Sequence, residues 1–294
     1  MAPGPTSTRS TLAAYVALTK PRIIELLLIT TVPTMVVAER GLPDLWLVVA
    51  TVIGGTLAAG GANAVNMYVD RDIDRIMKRT EGRPLVTGEI EPRNALAFSI
   101  ALLLFAGLWL AGFVNVLSAA LALAAAAFYI FVYTLWLKRT SRQNIVIGGA
   151  AGCMPVLVGW AAVTNSVDWE PVVLFGVIFL WTPPHFWALA VKYRDDYSAA
   201  NVPMMPSVTS LSSTARQIVA YTVAVWALGV AFAPIADMGW IYLAISIVSG
   251  AGFTWYAVAL LRDPTSARAM RLFTFSITYL TVLFVGMAVD QLVL

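Results

Sequence analysis

The chain has 294 residues, of which 60% are hydrophobic and 12% charged, far from the roughly 25% charge of soluble domains. The net charge of +3 is spread without a compact basic domain, which excludes a nucleic-acid footprint. The single cysteine, Cys153, excludes an internal disulfide and a multi-cysteine metal cage.

The opening stretch, MAPGPTSTRSTLAAYVALTK, lacks the layout of a cleavable signal and is Arg-poor for an organelle transit peptide. A bacterial plasma membrane is therefore the expected location. Nine apolar runs follow, near 22–38, 45–67, 94–113, 116–137, 144–163, 172–191, 215–235, 240–261 and 272–292, each long enough to cross a hydrocarbon core of roughly 30 Å. The expected fold is an all-α membrane bundle of nine helices, with residues 1–21 as an arm and 22–294 as one domain. An odd number of spans puts the termini on opposite sides. With the N-terminus cytoplasmic and the C-terminus outside, every Lys and Arg except Arg40 falls inside or at an inner helix end, as the positive-inside rule requires.

The first run opens TKPRIIE, which holds Lys20, Arg22 and Glu25. Glu25 lies where ionisable groups normally face a partner or a cavity, and Arg22 stands at the spacing for a helical ion pair. The outer connections are short, whereas two inner ones, after the second and sixth runs, exceed about fifteen residues, a length that usually marks function. Both carry acidic residues just past a helix end, consistent with an internal duplication.

The second run leads into NAVNMYVDRDIDRIMKRTEGRPL. On a continuous helix at about 100° per residue, Asn66, Asp70 and Asp74 fall within about 60° of Asn63, whereas Asp72 faces the other way. Three hard-oxygen donors one turn apart suit Mg²⁺, and without a cation the stripe would set like charges four residues apart. The competing reading is a solvated loop in which Asp and Arg neutralise each other. Lys78, Arg79 and Arg83 beyond it, with Lys138 and Arg139 of the loop KRTSR, suit a diphosphate, although orientation alone also explains basic residues here.

The sixth run ends WTPPHFWALAVKYRDDYSAANVPMMP. Read as one helix from His185, Lys192 and Asp196 fall within about 20° of it, which makes Asp196 a better ligand than Asp195. His185, the only histidine, is read as a packing residue, a haem-iron ligand or a proton acceptor. Tyr193 and Tyr197 are expected to line the diphosphate site.

NxxxDxxxD at Asn66, Asp70 and Asp74, together with TKPRI, RTxxRPL, WTPPHFWALA and DYxxAxVPMMP in order along the chain, resembles the UbiA superfamily of intramembrane prenyltransferases and, within it, the protohaem IX farnesyltransferase branch. The resemblance spans essentially the whole chain. It implies a helical bundle with a central cavity opening toward the cytoplasmic side, and Mg²⁺ held between the acidic motifs by Asn66, Asp70, Asp74, Asp195 and Asp196. It further implies transfer of farnesyl from farnesyl diphosphate, with addition of water, to a vinyl group of haem B. The products are haem O and diphosphate, within haem A biosynthesis, with haem A synthase as a candidate partner. Lys20, Arg22, Glu25 and His185 are then candidates for holding haem. One departure stands out: the second DxxxD of many members is absent, because Ala199 and Ala200 follow Asp195 and Asp196 at that spacing. The alternatives are prenylation of an aromatic quinone precursor, which would not need His185, and a cation transporter, which would show carboxylates near the bilayer midplane on several spans.

Overall fold

The computed structural model describes residues 10–293. The predicted arm 1–21 is not a bare arm: its described part forms a helix, α1 (Thr11–Thr19). Residues 1–9 lie outside the described residues. Ser10 caps α1 by accepting from the Ala13 amide. The helix then ends at Lys20, whose left-handed φ of 54° turns the chain so that Pro21 starts the next helix, where its missing N–H costs nothing.

Among the described residues, nine helices are long and apolar enough to cross a membrane: α2 (Pro21–Glu39), α3 (Leu45–Val69), α4 (Pro92–Phe113), α5 (Val116–Thr140), α6 (Asn144–Thr164), α7 (Trp169–Lys192), α8 (Leu211–Ile235), α9 (Trp240–Arg262) and α10 (Ser266–Val293). These are the nine runs expected from the sequence, lengthened at most ends. In one half, α6 to α10 close on a solid core that includes the fully buried Phe232, Tyr242, Phe253, Tyr279 and Phe284. In the other half, α2, α3, α5, α6 and α7 stand around a cavity of about 330 Å³.

The helix ends are fastened by side chains from elsewhere in the chain. Asp290, buried in α10, accepts from the amides of Gly239 and Tyr242 and so caps α9. Asn115 caps α5 through the Ser118 amide at 2.7 Å and donates to the Ala161 carbonyl of α6 at 2.7 Å. Asp290 and the Asn115–Ala161 bond thus satisfy orphan backbone groups of helices other than their own, while Asn115 also caps the helix it precedes.

Two features depart from ideal helices where the cavity meets its polar end. Residues Phe128–Leu137 of α5 coil as a π-helix. The helices α3 and α7 both stop short of their acidic residues and pass into short helical turns, Arg71–Asp74 and Arg194–Ala199. The continuous helices assumed from the sequence therefore break at Asp70 and at Tyr193.

Candidate active site

The cavity has a polar mouth and an apolar depth. Backbone hydrogen bonds from Asp70 to Asn66 and from Asp74 to Asp70 keep the i, i+4 spacing across the break after Val69, so the predicted stripe survives. Asp70 and Asp74 are both buried. Asp72 points away, as expected, and is gripped by both arms of the Arg139 guanidinium at 2.7 Å each. That fork holds the Asp72 carboxyl down at about 2.

Each residue of the stripe is met by a basic group. Lys138 donates to Asp70 Oδ2, which also accepts from Asn66 Nδ2 at 2.8 Å. Arg83 Nη1 lies 2.5 Å from Asp74 Oδ2. Lys20 Nζ donates to Asn66 Oδ1 at 2.7 Å. The like-charge repulsion expected of the stripe is thus relieved by three cations from three parts of the chain. Lys20, grouped with the haem candidates from the sequence, sits beside the carboxylates, and its burial, with Arg83 and Lys138 close by, lowers its affinity for a proton. The strained hinge that carries it is pinned to α3 a second time, where Asn63 Nδ2 donates to the Thr19 carbonyl at 3.0 Å.

The two long loops meet at Arg79. Its amide donates to Asp196 Oδ2 at 3.4 Å, its guanidinium donates to the Tyr197 hydroxyl at 3.2 Å, and the Tyr193 and Tyr197 rings both lie beneath it. Tyr197 lines the cavity, and burial pushes its hydroxyl pKa up. Asp196 accepts from the Arg79 amide while Asp195 is exposed.

Several expected site residues stand elsewhere. Lys78 and Lys192 are exposed and do not line the cavity, and Lys192 rests over the Tyr193 ring. The place expected for Lys78 depended on a helix running past Asp74, which stops there, whereas Lys192 lies within α7 on the side of His185, which faces α10 and not the cavity. Arg22 and Glu25 are exposed on α2 with no ion pair between them, so neither faces the cavity. His185 is buried, stacked between Trp181 and Phe273, with Nδ1 2.7 Å from Ser276 Oγ of α10. It is a packing residue at the α7–α10 contact and not a wall of the cavity, whereas its neighbours Trp181 and Phe186 do line it.

Tyr129, Tyr133 and Thr134 belong to the site and escaped the sequence reading. Nine residues apart at about 100° each, Tyr129 and Lys138 would face opposite sides of an α-helix. The wider i→i+5 coil turns both toward the cavity, with Tyr133 stacked on Tyr129 at 5.3 Å. The same coil aims Thr134 at Asn66, whose Nδ2 donates to it at 3.0 Å.

Among the described residues no three acidic, histidine or cysteine side chains converge as a closed metal cage. The donor set at the mouth nonetheless fits a hard divalent cation. Asp70 Oδ1 is buried and accepts no hydrogen bond, and the Asp74 carboxylate and the Asn66 amide oxygen lie one helical turn to either side.

A polar mouth of carboxylates and cations above an apolar membrane-embedded chamber defines an intramembrane prenyltransferase. The UbiA prenyltransferase family matches residues 27–282, and the chain belongs to that family. Among its relatives, the protoheme IX farnesyltransferase of Frankia alni is 54% identical over 283 residues, covering 95% of this chain and 98% of the relative. The protoheme IX farnesyltransferase of Clavibacter sepedonicus is 51% identical over 284 residues, covering 95% and 92%. The fold also matches a solved structure of a digeranylgeranylglyceryl phosphate synthase, with a TM-score of 0.80 at 18% identity over 97% of this chain and 99% of that one. A UbiA homologue from Archaeoglobus fulgidus bound to GPP and Mg²⁺ matches with a TM-score of 0.69 at 17% identity over 93% and 99%.

Proposed function

We propose that this chain transfers the farnesyl group of farnesyl diphosphate, with addition of water, to a vinyl group of haem B, giving haem O and diphosphate. The observation that carries the reading is the union of a buried Asp70–Asp74 pair ringed by Lys20, Arg83 and Lys138 with a mainly apolar cavity directly below it. Relatives just over 50% identical along nearly the whole chain bear the name of this activity. A transporter would need its carboxylates at the midplane, and here they cluster at one end. Trp181 and Phe186 offer flat aromatic walls to a macrocycle, and no basic pocket for a small phenolic acid stands in the cavity's depth, which favours haem over a quinone precursor.

Asn66, Asp70 and Asp74 would hold Mg²⁺, with Asp196, held at the Arg79 amide, as a further candidate ligand. The ion when bound neutralises charge on the leaving diphosphate. Arg79, Arg83, Lys138 and Lys20 grip the diphosphate oxygens and stabilise the negative charge that builds there as the C1–O bond breaks. The haem vinyl attacks the resulting allylic cation at C1, joining carbon to carbon, and water adds to the cation left on the acceptor with loss of a proton. Tyr129, Tyr133 and the apolar walls keep bulk water from capturing C1 first, which would yield farnesol. On this reading the mouth faces the cytoplasm, the chain sits in a bacterial plasma membrane, and haem A synthase receives the product.

The direct test incubates the purified protein with haem B, farnesyl diphosphate and Mg²⁺ and looks for hydroxyethylfarnesyl haem by mass spectrometry, with an EDTA control. A product that vanishes with EDTA is expected. Diphosphate release with a phenolic acid but no haem product would overturn the acceptor.

A further inference from the structure

Glycine inside a helix weakens it relative to alanine, so each helical glycine calls for a reason. On α3 a side-chain carbon added to Gly54 would meet Leu110 at 2.4 Å, and one at Gly61 would meet Leu103 at 2.8 Å. On α6 the same carbon at Gly149 would meet Thr182 at 2.7 Å. Close helix packing accounts for these three. It does not account for Gly55 or Gly152, where an added carbon meets nothing within 4 Å. Both line the cavity, from two different walls.

Their depth gives the missing reason. Gly55 stands about 16 Å along α3 from Asn66, and the wall continues about 6 Å further to Thr51, at 1.5 Å per residue. Gly152 stands about 12 Å into α6 from its first residue. Between Asn63 and Gly55 the wall that α3 contributes is small-sided, with Ala62, Ala59 and Ala58 lining the cavity. The charged residues of the lining, Lys20, Asp74, Arg79, Arg83 and Lys138, all stand at the mouth, so the deep end is uncharged and mainly apolar, suited to a prenyl tail. The last 6 Å matches the reach of one isoprenoid unit.

Resting on the proposed farnesyl transfer, we propose that Gly55 and Gly152 set the length of prenyl tail that this chain accepts, by leaving open the space that the terminal isoprenoid units fill. A leucine at Gly55 closes the deepest part of the cavity, and a leucine at Gly152 closes it nearer the mouth.

The test measures binding of farnesyl, geranyl and dimethylallyl thiodiphosphates, which resist cleavage, to the purified full chain with Mg²⁺, alongside thermal melting of each variant. Gly55→Leu is expected to weaken farnesyl thiodiphosphate about a hundredfold, the burial of one isoprenoid unit, with geranyl unchanged. Gly152→Leu is expected to weaken geranyl as well and to spare dimethylallyl. Should either leucine variant lose its fold, Gly55→Ala and Gly152→Ala show the same ranking in smaller steps. Variants that melt like the wild type and bind all three tails as it does overturn the proposal, and so does a loss confined to haem binding. Absence of farnesylated haem from the wild-type assay would instead remove the reading on which the proposal rests.

Discussion

Asp70 is a charged group held out of reach of water. Its carboxylate is wholly buried, shares one oxygen between Lys138 and Asn66, and leaves the other without a hydrogen bond. Asp70→Asn keeps the shape and removes the charge, so the protein is expected to stay folded while turnover falls about a thousandfold, the scale of losing one charge-stabilising group in a site of this kind. A near-normal rate would end the assignment. His185 is expected to behave in the opposite way. Because its ring fills a slot between Trp181 and Phe273, His185→Ala should cost about 2–4 kcal/mol of stability, as large buried truncations do, with turnover per folded molecule nearly unchanged. Thermal melting and a rate normalised to folded protein separate the two. The carboxylate stripe was legible in the sequence because a backbone turn fixes i, i+4 neighbours whatever lies around them. The place of Lys20 and of His185 was not, since each is decided by a partner far along the chain, Asn66 and Ser276.

Helices that cross a membrane announce themselves by length and apolarity, and all nine did. What the sequence concealed at this scale were departures from regular coil. Within the π turn of α5, Thr134 meets both the Tyr129 carbonyl, at 2.9 Å, and Asn66, and no α-periodic count can anticipate that pairing. Lys78 stands elsewhere for a related reason, because the helix that would carry it ends at Asp74, and Lys192 because the side of α7 it shares with His185 is turned to α10. Two neighbouring glycines on α3 give a sharp contrast. Gly54→Ala drives a methyl into Leu110 and is expected to destabilise the bundle by about 1–3 kcal/mol, the usual range for overpacking, while Gly55→Ala leaves stability unchanged or slightly raised. Equal melting temperatures for the two variants would contradict this account of the α3–α4 contact. On the opposite face, Asp290→Ala leaves the Gly239 and Tyr242 amides without their acceptor and should cost about 1–3 kcal/mol, again read by melting, with tail binding untouched.

The whole molecule divides its labour between a solid half, α6 to α10, and a hollow half. Loop asymmetry made the mouth legible from the sequence: long polar segments collect at one end of the bundle, and nearly all basic residues collect with them. The same asymmetry predicts orientation. An alkaline phosphatase fused after residue 294 should be active in a bacterial cell, and one fused in the loop near residue 209 inactive; the reverse pattern would invert the molecule in its membrane. The matched charges at the mouth also bear on the order in which ligands arrive. Asp70, Asp74 and Asn66 are already engaged by Lys138, Arg83 and Lys20, so a lone dication meets no net negative field, and a lone diphosphate meets cations already committed. A magnesium diphosphate offers both sets of partners at once: its metal to the oxygens and its phosphates to the ammonium and guanidinium groups as they let go. Entry is then an exchange of partners rather than the filling of an empty seat, and Mn²⁺ followed by paramagnetic resonance should bind weakly alone and tightly once inorganic diphosphate is added.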